Sequence, residues 1–355
     1  MKHAQLLSAR GLRRLTIKSV SDAGEGFRPS RRKAAKSILL CLSLLLLVIS
    51  LSMVGAQGVE DTPLPPDATQ APIITPTPLP KPFPVSVIEQ DGFTVELYFD
   101  TIAQGQVGLV HVTGDGIAGA RARLFNDPID FFPIEGDGFY GLLSANMEQN
   151  ARTYDTTIFA WDNNNRRVTI NVPLTIVTGA FIRQEITMAP DRAYLVDAEI
   201  ERGELARLES VFSHYTPERL WNELGFQMPI LNSQLTSPFG AFRTFNGMLQ
   251  TRHTGWDIRT TLGVPVMASA GGTVAYAGRM EIRGNMVVID HGFGIFSTYN
   301  HLSQIHVTRG QSIVKGQIIG VTGDTGRSSG PHFHWEMAVN GDFVDSIQFT
   351  QTWLP

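Results

Sequence analysis

The chain has 355 residues, with 33 acidic and 29 basic side chains and a single cysteine. That length allows two domains with accessory segments, and a lone cysteine excludes an intrachain disulfide framework. Charge is unevenly spread: residues 1–36 carry ten Lys and Arg against Asp22 and Glu25, so the part beyond residue 56 holds 19 basic and 31 acidic residues, near −12, which argues against nucleic acid as a partner.

The first element in chain order is the uncharged run 37–56, with Cys41 inside it, long enough to cross a bilayer as a helix. Its basic flank places residues 1–36 in the cytoplasm and the C-terminal bulk outside. The expectation is an uncleaved single-pass membrane anchor. A cleaved signal sequence is the alternative, since Val54-Gly55-Ala56 offers small residues at a cleavage point. Either reading exports the rest of the chain to the cell envelope. Residues 57–84 contain nine prolines, the composition of an extended polyproline spacer; at this length it could reach roughly 85 Å.

Residues 85–178 read as an all-β domain. Phe93, Val95, Leu97 and Phe99 alternate with polar neighbours, and Val168, Ile170 and Val172 repeat the pattern after the turn Asp162-Asn163-Asn164-Asn165. Short strands in this number suggest an immunoglobulin-like β-sandwich, serving as a spacer or binding module. Residues 179–227 form a connector. A helix is expected over Asp197–His214, with Leu205, Leu208, Val211 and Phe212 on one stripe and Glu201, Glu204, Arg207 and Glu209 largely off it. Thr216-Pro217-Glu218 resembles a second helix start.

From Gly255 to Gly341, glycine recurs between short runs rich in Val, Ile, Thr and aromatics, and no amphipathic helix of any length fits inside that stretch. The pattern predicts a compact antiparallel β domain, taken as residues 228–355, so the chain as a whole is mainly β. The chemistry-bearing residues gather here: His253 and Asp257, His301, then His332 and His334. A catalytic zinc takes three imidazole or carboxylate ligands and leaves one position open. Two histidines and an aspartate meet that need, and two histidines remain for proton work. Residues i and i+2 of a strand share a face, so His332 and His334 would stand side by side, and Glu336 would follow on the same face as a partner for a ligand imidazole. No H-E-x-x-H run exists, which excludes the helical arrangement with a glutamate base. His3, His111, His214 and His306 read as ordinary surface or core residues, and His291 as a turn residue between strands.

Several runs in order resemble one known family, the lysostaphin/LytM-type zinc peptidases that cut peptidoglycan. They are Leu235-Thr236-Ser237-Pro238-Phe239-Gly240, His253-Thr254-Gly255-Trp256-Asp257, Val264-Pro265-Val266-Met267-Ala268, Tyr299-Asn300-His301-Leu302 and Gly330-Pro331-His332-Phe333-His334-Trp335-Glu336. The resemblance covers about residues 228–355 and implies a LytM-type antiparallel β peptidase domain. It implies His253, Asp257 and His334 as ligands of Zn2+, and His301 and His332 as catalytic histidines. The implied activity is hydrolysis of peptide crosslinks, with peptidoglycan stem peptides and crossbridges as partners. Many members have lost ligands and act only as activators, so a catalytically silent wall-binding protein or amidase activator is the alternative; this chain keeps all three. Little room is expected beside His253 and His334, because Gly255 and Gly330 let backbones approach closely.

Overall fold

A computed structural model describes residues 77–125 and 127–355. The apolar run 37–56 and most of the proline-rich spacer lie outside these residues. No helix among the described residues is long and apolar enough to cross a membrane.

Two five-stranded sheets form the first layer pair. In spatial order, one runs Ser86–Gln90, Phe93–Leu97, Val107–Gly114, Gly138–Ser144 and Phe132–Ile134, and the other Thr101–Ala103, Arg167–Val177, Thr153–Asp162, Ile117–Leu124 and Asp127–Asp130. Alternation does the sorting, as expected: Phe93, Val95 and Leu97 face Ile158, Ile170 and Val172 in one apolar core. The sandwich also shares a second core with the C-terminal domain. Phe132 stacks on Phe293 at 4.7 Å and meets Trp221 edge-on at 5.7 Å, while Ser144 and Asn146 donate to the half-buried Asp342 at 3.0 and 2.8 Å.

The connector is docked rather than free. Helix α1 (Ala198–Phe212) starts where Asp197 accepts hydrogen bonds from the amides of Glu199 and Ile200. Its buried stripe is Glu204, Leu208 and Phe212, which corrects the expectation that Glu204 faces away from the core. The reason is local: Glu204 accepts from the amides of Ile282 and Arg283 and from the Arg283 guanidinium, so the buried carboxylate is met by three donors. The second helix expected at Thr216 does not form. Instead the Thr216 carbonyl accepts from the Phe293 amide and the Leu220 amide donates to the His291 carbonyl, so this stretch is bonded along a strand end.

In the C-terminal domain the central strands are β1 (Trp256–Arg259), β2 (Gly272–Met280), β3 (Gly284–Gly292), β4 (Ile295–Ile305) and β5 (His332–Val339). They pair antiparallel in the order β1-β5-β4-β3-β2 within a ten-stranded sheet. One short helix, α2 (Ser346–Gln351), ends the domain, capped by Asp345. His291 is no turn residue: it sits inside β3, fully buried, with its two ring nitrogens on the Gly271 carbonyl and the Ser297 hydroxyl.

Candidate metal and catalytic site

Strand β5 sets the geometry. Phe333, Trp335 and Met337 point into the core, so His332, His334 and Glu336 share the opposite face. Register then chooses their neighbours: His334 lies opposite Asp257 of β1 and Asn300 of β4, and Glu336 lies opposite Thr298. Gly255 permits this approach, since a Cβ there would lie 2.2 Å from the Trp335 carbonyl oxygen. Gly330 has open space around it and needs no such explanation.

The side chains at this face each have one ring nitrogen engaged. His253 donates from Nδ1 to the Pro238 carbonyl at 2.7 Å, which leaves Nε2 with a lone pair. His334 has Nε2 at 3.1 Å from Glu336 Oε1, which leaves Nδ1 facing the cluster. Those two free nitrogens and Asp257 Oδ1 converge: His253 Nε2 is 3.0 Å from His334 Nδ1 and 3.1 Å from Asp257 Oδ1, and His334 Nδ1 is 2.8 Å from the same oxygen. Three acceptor atoms at such distances repel unless positive charge lies among them. Burial works against charge on His334, yet Glu336 and Asp257 outweigh it and raise its affinity for a proton. At His253 burial dominates and pushes the pKa down to about 4, so this imidazole is neutral and free to ligate. His253, Asp257 and His334 form the one group among the described residues that could hold a metal ion. Their chemistry fits zinc: two imidazoles and one carboxylate.

His301 and His332 sit beside this cluster, their rings 4.7 Å apart and His301 5.9 Å from the His334 ring. His301 donates from Nδ1 to the Thr325 carbonyl at 2.7 Å, and His332 from Nδ1 to the Gly330 carbonyl at 2.8 Å. Each keeps Nε2 unbonded, and that of His332 lies 3.6 Å from Asp257 Oδ1. Burial, with His332 and His334 nearby, holds the pKa of His301 well below the ordinary range, as a neutral base requires. Its backbone has φ of 58°, a left-handed conformation that costs a non-glycine residue about 1–3 kcal/mol. The surroundings impose it, through the His301 amide on the Arg283 carbonyl and the ring on Thr325.

A charged frame fixes the cluster. Arg243 donates to Asp257 Oδ2 at 2.5 Å and to Ser237, leaving Oδ1 toward the cluster. Burial raises the Asp257 carboxyl, and His253 and Arg243 more than reverse that, so it stays ionised. Glu336 is fully buried. It accepts from Arg283 at 2.7 Å, from Asn300 at 3.1 Å, and from Thr254 and Thr298. Arg283 reaches onward to Glu204 of α1, so the connector reaches the site through two buried charges. Arg192 braces the loop before β5, bidentate on Asp324 at 2.8 and 2.9 Å and bonded to the Ser328 carbonyl. All five residues expected from sequence are therefore in one place. Arg243, Arg283, Glu204 and Arg192 were not foreseen, because they come from separate segments and no spacing marks them.

Two imidazoles and a carboxylate converging on an antiparallel sheet, with two further imidazoles beside them, make an arrangement of the metallopeptidase type. Residues 251–346 match the Peptidase family M23 model. The "DD-carboxypeptidase/endopeptidase Mpg" of Neisseria meningitidis serogroup B is 40% identical over 126 residues, 35% of this chain and 29% of that protein. The "Peptidoglycan DD-endopeptidase ShyA" of Vibrio cholerae is 42% identical over 96 residues, 27% of this chain and 22% of that protein. The chain thus matches less than a third of the length of these curated relatives. A crystal structure of a peptidase M23 from Pseudomonas aeruginosa is 25% identical with a TM-score of 0.53, and covers 71% of this chain and 97% of that one. The C-terminal part of the chain thus carries a peptidase M23 domain over residues 251–346.

Proposed function

We propose that this chain is an exported, zinc-dependent endopeptidase that hydrolyses peptide crosslinks of bacterial peptidoglycan. The observation that carries the reading is the division of labour among four imidazoles: two free nitrogens converge with Asp257 Oδ1, and two more stay unbonded beside them. His253 Nε2, His334 Nδ1 and Asp257 Oδ1 would hold a zinc ion, which when bound would supply Lewis acidity to the scissile carbonyl. His301 Nε2 takes a proton from the attacking water, and His332 Nε2 steadies the charge that develops on the carbonyl oxygen. Both rings are pre-oriented by carbonyls, so no rotamer search precedes the proton transfer. The names of the relatives support a peptidoglycan crosslink as substrate.

Two further parts of the reading concern placement. The uncharged run 37–56 with its basic flank anchors the chain in the membrane, C-terminus outside, and the proline-rich spacer carries the enzyme toward the wall. The sandwich is immunoglobulin-like: its strand order supports this, with four antiparallel strands from Phe93–Leu97 to Phe132–Ile134 opposite a sheet centred on Arg167–Val177 and Thr153–Asp162.

Digestion of purified sacculi, read by mass spectrometry of the released muropeptides, tests the activity. Crosslinked dimers should become monomers, and a zinc chelator should stop the reaction. Free amino sugars or a released lactyl-linked stem peptide would indicate a glycosidase or an amidase and overturn the reading.

A further inference from the structure

A small pocket of about 40 Å³ adjoins the histidine cluster, with His253, His301 and His334 in its wall. Four arginines also line it, namely Arg243, Arg252, Arg283 and Arg327, against one carboxylate, Glu201 of α1. Two of the arginines are committed to the frame of the site, Arg243 to Asp257 and Arg283 to Glu204 and Glu336. The other two are not. Arg252 pairs through Nη1 with Glu148 of the sandwich at 2.6 Å, but its Nη2 is buried without a hydrogen-bond partner. Arg327 Nη1 lies 2.5 Å from Glu201 Oε2, an ion pair in the pocket wall in which the carboxylate of α1 already occupies the guanidinium.

Burial disfavours the charge on Arg327, and Arg283 adds repulsion there. A desolvated guanidinium with unmet donors is stabilised by an anion that can meet its fork. Arg327 is also held in place. Its plane rests over the Phe245 ring at 4.3 Å, and its amide donates to the Ile282 carbonyl. In sequence it stands between Thr325, which orients His301, and Ser328, whose hydroxyl is 3.2 Å from His332 Nδ1.

We propose that this pocket is a carboxylate subsite, in which Arg327, supported by Arg252, binds a free carboxylate of the peptide substrate that Glu201 replaces in the free protein. The inference rests on the endopeptidase reading and narrows it: the crosslink cut is one flanked by a free carboxylate, not a neutral glycine bridge. Room of about 40 Å³ suits a carboxylate with a water or two and excludes a bulky side chain.

Two synthetic D-alanyl-linked stem-peptide dimers test it, identical except that the carboxylate next to the scissile bond is free in one and amidated in the other. The wild-type protein should cut the free acid with at least a tenfold higher kcat/KM, expressed mainly in KM. Arg327→Gln should remove that preference, lowering kcat/KM on the acid to its level on the amide with zinc content unchanged. Glu201→Gln should lower KM several-fold for the acid alone, because the competing carboxylate is gone. Equal treatment of the dimers by the wild type, or a preference that survives Arg327→Gln, overturns the subsite. Should Arg327→Gln lose its zinc or its fold, Glu201→Gln decides, and an unchanged KM for the acid overturns the proposal. If neither dimer is cut, the endopeptidase reading fails, and calorimetric binding of the two dimers still decides the subsite, equal affinities counting against it.

Discussion

Among the described residues, histidines are buried beside carboxylates in two regions, and only one of these leaves ring nitrogens open. In the sandwich, His111 has Nδ1 on Glu96 at 2.8 Å and Nε2 on the Asp137 carbonyl, with Tyr140 stacked on its ring at 4.0 Å. His291 in β3 is likewise engaged at both nitrogens. In the C-terminal site, His253, His301, His332 and His334 are each tied at one nitrogen and open at the other. Burial and polar partners are common to both regions. What separates them is whether a lone pair is left over, and where it points.

The largest effect should follow from removing a member of the convergent trio. Asp257→Ala and His334→Ala are expected to lose both bound zinc and all measurable turnover, since two remaining donors form no closed ligand set. Metal analysis of the purified variants checks this, and stoichiometric zinc in Asp257→Ala would remove the aspartate from the set. A smaller loss should follow at the proton-handling pair. His301→Ala and His332→Ala should keep zinc and fall roughly 100-fold or more in rate, the contribution expected of positioned acid–base groups. Loss of zinc from His332→Ala would mean that the two histidines of β5 have exchanged roles.

How much of this contrast could be read in advance differs from residue to residue. Of the five residues that meet here, His332 and His334 were legible together because two positions apart on a strand share a face, while His253, Asp257 and His301 were marked only by the runs that resemble the peptidase family. The fate of His291 was not legible, because Asp290-His291-Gly292 looks like a turn, whereas His291 sits at a register shift of the ladder to β4 with Asp290 and Gly292 still paired on either side. The inward face of α1 misled for a similar reason: Glu204 is polar by sequence and buried by virtue of Arg283, almost eighty positions away. Arg283 and Arg243 are invisible to periodicity, since their partners come from other strands. The contact of Phe132 with Phe293 and Trp221 is a meeting of single aromatics in short segments, which no local pattern announces.

The smallest effects should come from the doubly engaged histidines. His291→Gln and His111→Gln should leave zinc content and turnover unchanged and alter only stability. Burial pushes His291 down to about 4 from an unfolded value near 6.5. Between those values the unfolded chain binds the extra proton, so its share of stability is complete above about pH 6.5 and is lost as pH falls toward 4. Thermal unfolding between pH 4 and 7 should therefore show a shallower pH slope in His291→Gln than in wild type. An unchanged slope would mean that His291 is not held neutral in the fold.

The central claim is that four imidazoles present chosen nitrogens, and nitrogen NMR of histidine-labelled protein reads those nitrogens directly. In zinc-free protein near neutral pH, His253, His301 and His332 should carry the proton on Nδ1, and His334 should carry one on Nε2. Added zinc should move the signals of His253 Nε2 and His334 Nδ1 most, while His111 and His291 stay still. Zinc-bound protein with a proton on His334 Nδ1, or with metal-induced shifts at His111 or His291, would contradict the account.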